Sequence, residues 1–312
     1  MKTLKEIGAI TAQNDYKVNF WNAMKFDASA RVKVSNAIDS GEALIMPKES
    51  ENDFRSAIRA NGVIRNLATN KKKYSGNDSI LAYESDDYAS FVAEGETIPR
   101  FDVKDDFTKL RINSFKLASL AKLSSEFAFD AVFDVEEYVL KRVAKSFAKT
   151  EDKAFINGNG TTEPTGLLHD TAGADTGVTT SSITYDDCID LFFSLKPEYR
   201  KAAVWIMNDN TALTLRKLKD SDEAYLWNQA NDTILGRPVY ICNEMPDAAS
   251  GNKPVLFGDL SYYWIIDRAP VSFKPITELF SANNQVGYLG IERLDAKLVR
   301  SEAVKVIALA GE

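Results

Sequence analysis

The sequence predicts an α+β chain, and three observations carry that expectation. Val135, Val139, Val143 and Phe147 recur at four-residue steps, with Tyr138, Leu140 and Ala144 completing the stripe of a long helix. Residues 203–207, 238–241 and 255–257 are short apolar runs of the kind that buried strands carry. From Thr184 onward helical and extended patterns alternate, which implies a central sheet with helices beside it.

Residues 1–45 do not read as a packed domain. Leu4, Ile7 and Ile10 recur every three residues and Tyr16, Val18 and Phe20 then alternate, so a short helical turn followed by an extended arm is expected. The stretch ALIMP opens a first compact unit: Pro47 ends a short strand, Ser50 is placed to cap a helix bearing Phe54, Ala57 and Ile58, and Gly62 stops it. Residues 80–123 show no helical stripe, are broken at Gly95 and Pro99, and carry Glu84, Asp86, Asp87, Asp102, Asp105 and Asp106. They read as one long polar hairpin, whose arms at about 3.3 Å per residue would reach about 50 Å. Two strands alone are marginal in water, so a neighbouring molecule must cover them.

The long helix, with Asp134 as its cap, is expected to span about 35 Å and to stop at Asn157-Gly158, where glycine can turn left-handed. The following NGNGTTEPTG is turn chemistry. Thr184 and Asp187 form a capping box ahead of Tyr185, Cys188, Ile189, Phe192 and Leu195, and Pro197 ends that helix. Asn208 or Asp209 then caps a helix carrying Leu215 and Leu218. Two closing extended runs, 286–291 and 303–309, flank a charged segment around Arg293, Asp295 and Lys297 and are expected to rejoin the first unit's sheet. No internal repeat is present, which excludes a solenoid.

Composition narrows the function. Over 312 residues, 45% hydrophobic and 27% charged side chains are those of a soluble globular protein, and a net charge of -7 is the wrong sign for gripping phosphate over a whole surface. No run approaches the roughly twenty apolar residues of a membrane span, and the opening MKTLKEIGAI lacks a signal-peptide core, so a cytosolic origin is expected. One histidine, His169 in a turn-rich stretch, leaves triads and zinc enzymes without their usual base. Cys188 and Cys242 read as core residues. No enzyme activity, metal or cofactor is expected.

Other features have ordinary readings. Gly158-Asn159-Gly160 lacks the Gly-Lys-Ser/Thr of a phosphate loop and follows a helix where such a loop would precede one. Asp86-Asp87 and Asp105-Asp106 read as solvated charge, and Asp186-Asp187 suits a helix start. Tyr262, Tyr263 and Trp264 read as strand core. Lys71, Lys72 and Lys73 form the only basic triplet; it could face nucleic acid or pair with the acidic hairpin of a neighbour, and the neighbour is favoured because the hairpin's acids need a partner.

Four segments, in chain order, resemble the Hong Kong 97-type major capsid proteins of tailed bacteriophages. They are FVAEGETIPRFD at 91–102; the run from LAKLSSEF through DVEEYVLKRVAKSFAKTEDKAFINGNGTTEPTGLL; AAVWIMNDNTALTLRKLKDSDEAYLW at 202–227, continuing into ILGRPVYICNEMP and VLFGDLSYYWIIDR; and GYLGIERLDAKLVRSEAVKVIAL. The resemblance implies a peripheral domain at 46–79, 111–182 and 283–312 with a spine helix at about 134–156, an extended loop at 80–110, an axial domain at 183–282 and an N-terminal arm at 1–45.

It further implies a subunit that assembles as pentamers and hexamers into an icosahedral shell around double-stranded DNA, in a virion put together in the bacterial cytoplasm. An encapsulin-like nanocompartment shell is the alternative in the same fold, and a cytosolic α/β enzyme the alternative outside it. The inter-subunit contacts it points to are Lys71, Lys72, Lys73, Glu84, Asp86, Asp87, Glu94, Glu96, Arg100, Asp102 and Lys104. Only about forty-five residues precede the first compact unit, which implies either a separate scaffolding protein or a mature form already cut to start at Met1, and the initiating-type methionine favours the first; a portal and a decoration protein are further expected partners. Some relatives weld lysine to asparagine with the help of a glutamate. Asn284 matches the asparagine, with Lys104 or Lys109 in the loop, but Ile291 stands at the glutamate's place and cannot accept a proton, so a non-covalent lattice is expected.

Overall fold

The computed structural model describes residues 4–38, 44–73, 79–83, 91–95, 107–124, 126, 135–219, 225, 227 and 232–311. Helices α1 (Leu4–Thr11), α2 (Asn14–Met24) and α3 (Ala28–Ile38) come first, then β1 (Leu44–Ile45), α4 (Lys48–Asn61), α5 (Ile64–Leu67) and β2 (Thr69–Lys72). Strands β3 (Ser79–Tyr83), β4 (Phe107–Arg111) and β5 (Phe115–Ser124) lead to the long helix α6 (Val135–Asn157). The rest comprises β6 (Asp175–Thr180), α7 (Tyr185–Ser194), α8 (Pro197–Arg200), β7 (Val204–Met207), α9 (Asp209–Arg216) and β8 (Thr233–Ile234). It closes with β9 (Arg237–Ile241), β10 (Val255–Gly258), β11 (Tyr263–Ile276), β12 (Gln285–Leu298) and β13 (Val304–Leu309).

Two sheets organise the chain. The first runs β1-β11-β12-β5, with β2 parallel to β11; the second runs β6-β13-β10-β7-β9-β8. Strands β3 and β4 form an antiparallel pair of their own from Ser79↔Arg111 to Tyr83↔Phe107, the base of the expected hairpin. Most of its outer part lies outside the described residues. Each sheet has its own apolar core, and α6 serves both: Val139, Val143 and Phe147 pack with Phe54 and Phe273 over the first sheet, while Phe155 and Ile156 pack with Tyr263 and Trp205 around the second. Its stripe of four-residue steps is therefore long because it has two cores to reach.

Residues 4–38 depart from expectation. Tyr16, Val18 and Phe20 are helical, not extended: Tyr16 and Phe20 are buried one turn apart, whereas Val18 is 51% exposed. Positions 16 and 20 satisfy both a two-residue and a four-residue period, so only the environment of Val18 separates the two. The Tyr16 hydroxyl donates to the Ile45 carbonyl at 2.7 Å and Trp21 Nε1 to Ser50 Oγ at 3.1 Å, which seats α2 on the first core. Ser50 is correspondingly no cap. It lies inside α4, and its hydroxyl donates to Glu136 at 3.0 Å.

The tail also differs. The charged segment does not interrupt a strand: β12 runs through Arg293, Asp295 and Lys297 because β11 pairs with it throughout, β5 pairs with it as far as Leu294, and buried Asp295 accepts the Asn113 amide at 2.7 Å. The last run, β13, joins the second sheet between β6 and β10, not the first. Pro197 begins α8 where it was expected only to end α7, and Leu218 falls beyond α9. Gly158 is not left-handed; a Cβ there would lie 2.0 Å from the Pro164 carbonyl oxygen, so close backbone approach is what requires glycine, and Gly160 supplies the positive φ of +70°. The Thr184 and Asp187 capping box, the Asn208 cap and the Gly62 stop are as expected.

Candidate inter-subunit surfaces and the ion cluster behind them

Where the two cores meet, α4, α5, α6, β11 and β12 each bring a charged side chain inward. Arg65 forms a two-pronged pair with Glu151, Nε to Oε2 and Nη2 to Oε1 both at 2.7 Å, and its Nη1 reaches Asp267 Oδ1 at 3.2 Å. Arg55 Nη1 donates to Glu292 Oε1, and its Nη2 lies 3.3 Å from Asp267 Oδ2, within ion-pair reach without hydrogen-bond geometry. Arg65 Nη2 also lies 3.7 Å from Glu292, and Glu51 sits at the margin, 3.8 Å from Arg55 Nε.

Glu151, Asp267 and Glu292 are thus three buried acids facing two arginines. Burial pushes the Glu292 carboxyl up to about 7 against the pull of Arg55, with Glu151 and Asp267 adding to the rise. Its Oε2 is buried without a hydrogen-bond partner, so no donor offsets the burial at that oxygen. Glu292 is fully enclosed, so the cluster can fix elements against one another and meets no substrate. Among the described residues no group of His, Cys, Asp or Glu is arranged to hold a metal ion. Cys188 and Cys242 are buried thiols pushed up to about 12, and His169 Nδ1 closes a turn by accepting the Thr171 and Ala172 amides.

The basic triplet is engaged within its own chain. Lys71 Nζ sits 3.0 Å from the centroid of Trp264, Lys72 lies 3.4 Å from Glu51, and Lys73 donates to the Ser79 carbonyl at the hairpin's base. Of the three, Lys72 alone is largely exposed. Glu94 is exposed beside a fully exposed Phe91 in the 91–95 turn, where Gly95 takes φ +90°. Glu84, Asp86, Asp87, Glu96, Arg100, Asp102 and Lys104 lie outside the described residues.

Alternation along β12 sorts its side chains between two faces. Gly290 abuts Val143 of α6, whereas Gly287 abuts Phe280 and Leu120 on the far side of the sheet. Glu292 therefore shares the helix side with Tyr288, and Ile291 shares the outward side with Leu289, opposite Ala118 and Leu120 of β5. At its centre this outward face is apolar, with Leu289 and Ile291 half-buried and Ala118 and Leu120 exposed, and the exposed Lys116, Lys122 and Arg293 flank it; Leu279, next to Phe280, is 74% exposed. Asn284, just before β12, is exposed in a left-handed conformation with φ 51°. On the second unit Phe193 is exposed at the end of α7, with the Arg200 guanidinium 5.2 Å from its ring. The sequence reading missed Leu279 and Phe193, since a helical or alternating period does not say which half-apolar face lacks a cover.

Comparison with known proteins agrees with this arrangement. The model of the phage capsid family matches residues 42–309. A curated major capsid protein of Klebsiella oxytoca phage phiKO2 is 24% identical over a 264-residue alignment that covers 78% of this chain and 61% of that relative's own length. The capsid of a native GTA particle, computed with C5 symmetry, superposes with a TM-score of 0.65 at 27% identity, over 80% of this chain and 90% of its own. A structure of Gordonia phage Cozz shares the fold at a TM-score of 0.58 and 14% identity, over 81% of this chain and 87% of its own. Because that family model spans residues 42–309, most of its length, the chain belongs to the phage capsid family.

Proposed function

We propose that this chain is the shell-forming subunit of a tailed-phage or prophage head, assembling as pentamers and hexamers into an icosahedral shell around double-stranded DNA. The observation that carries the reading is a folded body whose unburied apolar side chains sit on separate faces: Phe91 on the hairpin, Leu120 and Leu279 on the first sheet's outward side, and Phe193 beside the second. A subunit enclosed on all sides by copies of itself needs several such faces, and obligate interfaces bury about 2,000 to 5,000 Å² each. The phage and GTA relatives favour a head over a nanocompartment.

In this reading the 80–110 loop lies over an adjacent subunit, the first 45 residues meet another, and loops of the 183–282 region gather at the ring centre. The lattice is non-covalent, since Ile291 occupies the outward face and the adjacent carboxylate, Glu292, is held by Arg55 on the opposite one. Assembly takes place in the host cytoplasm, with a separate scaffolding protein, a portal and a decoration protein as partners.

Negative-stain microscopy of the purified chain is expected to show hollow polyhedral particles or rings, and a compact monomer at high concentration would overturn the reading. Deleting residues 84–104 is expected to leave a soluble subunit that forms no shells.

A further inference from the structure

Helix α6 segregates its charges. Beyond its first turn the acids Glu151 and Asp152 point inward, Glu151 held by Arg65 and Asp152 accepting the Val63 and Ile64 amides at 2.9 and 3.0 Å. Lys141, Arg142, Lys145, Lys149 and Lys153 are all exposed. Lys141 pairs with Glu137, and Arg142 donates to the Tyr138 hydroxyl at 2.8 Å. Lys145, Lys149 and Lys153 make no ion pair among the described residues. They rise about 12 Å along one side of the helix, in a chain whose net charge is -7.

The character of the stripe says what it fits. Between Lys141 and Asn157 its exposed positions hold no apolar or aromatic residue; Ser146 and Thr150 fill the gaps between the lysines. Protein interfaces are depleted of lysine and centred on apolar or aromatic anchors; the exposed side of the helix has none, and across the groove only Ile241, 37% exposed, offers apolar surface. Bases of a single strand need aromatic platforms, also lacking. Exposed lysines with hydroxyls between them match the phosphates of a duplex, which presents one charge per about 1.7 Å of its axis and asks for no side-chain anchor. Beside Lys145 and Lys149 runs a groove of about 340 Å³ in which Glu244 is the one acid not held by backbone amides.

We propose that Lys145, Lys149 and Lys153 on α6 form a contact surface for the phosphate backbone of double-stranded DNA, read without regard to base sequence. This deepens the shell reading, because it names the face of the subunit that meets an enclosed duplex.

The test is fluorescence anisotropy of a 30-base-pair DNA duplex with the purified, unassembled full chain between 50 and 200 mM KCl. Two triple variants of equal net charge are compared: Lys145→Gln with Lys149→Gln and Lys153→Gln, and a control with the exposed Lys33→Gln, Lys201→Gln and Lys217→Gln. Wild type and control are expected to share one salt slope, and the stripe variant a slope shallower by about 2.7, so that the fourfold rise in salt weakens wild type by about 40-fold more than the variant. Equal slopes for the two triple variants, or no salt-sensitive binding by wild type, would overturn the proposal. So would stripe-dependent binding of a peptide of residues 84–106, with its eight acids and two bases, in place of the duplex; the face would then be a contact between copies. Particle formation is scored in parallel: particles without a stripe-dependent slope reject this inference alone, and absence of particles from wild type rejects the shell reading while leaving the slopes readable.

Discussion

Glu292 and the arginines around it set how the subunit responds to pH. Its carboxyl ionises near 4.5 when solvated and about 7 when folded, because burial outweighs the attraction of Arg55. Between those values the folded chain binds more protons than the unfolded one. The contribution of this group is therefore fully present below about 4.5, falls as pH rises, and is gone above about 7, with a slope of at most about 1.4 kcal/mol per pH unit. Urea midpoints of the unassembled chain across pH 4.5 to 8 should show this decline, and Glu292→Gln, which keeps the shape and removes the titration, should flatten it. A decline equally steep in the variant would refute the assignment. Arg65→Ala leaves Glu151 and Asp267 buried without their shared partner and should cost about 3 to 5 kcal/mol by the same measurement. The cluster was illegible in the sequence: its members lie up to 237 positions apart, and nothing local marks Glu292 as buried and Arg293 as exposed.

Among the elements, those whose signals are local were the ones foreseen. Thr184 accepts from the Asp187 amide and the Asp187 carboxylate accepts from Thr184, a box complete within four residues, so Thr184→Ala should lower stability by about 1 kcal/mol, read as a fall in melting temperature. The long helix was legible from its stripe, and its stop from Asn157-Gly158, although the glycine is needed for close approach to Pro164 and not for its φ. Helix α2 was not, because Tyr16 and Phe20 fit two periods and the choice between them rests on Tyr16 reaching Ile45 and Trp21 reaching Ser50. The tail failed similarly: Asp295 looks like a strand breaker until the Asn113 amide meets it. Exposed apolar tips on these elements should matter to assembly and not to folding. Phe91→Ser should leave the monomer's melting temperature unchanged and reduce the yield of particles seen by microscopy.

At the scale of the molecule, one helix joins two cores and an ion cluster ties their junction. In the proposed shell such a preorganised subunit would leave less ordering cost on each association. Leu279→Asp combined with Phe193→Asp should keep the monomer within about 0.5 kcal/mol of wild type, yet shift sedimentation from particles to free subunits. Undiminished particle assembly in that double variant would show that neither face is used.

The sequence by itself determined most helix and strand segments with local periods and caps, the scarcity of histidine, and the family resemblance, because each rests on residues near one another in the chain or on composition. Tertiary structure decided the rest: that α2 is a helix, that β13 pairs in the second sheet, that Lys71 covers Trp264, and that Ile291 and Glu292 face opposite ways. The physical reason is the same in each case. Burial, pairing partner and ionisation are properties of what a residue packs against, and for these residues the partner comes from a distant part of the chain.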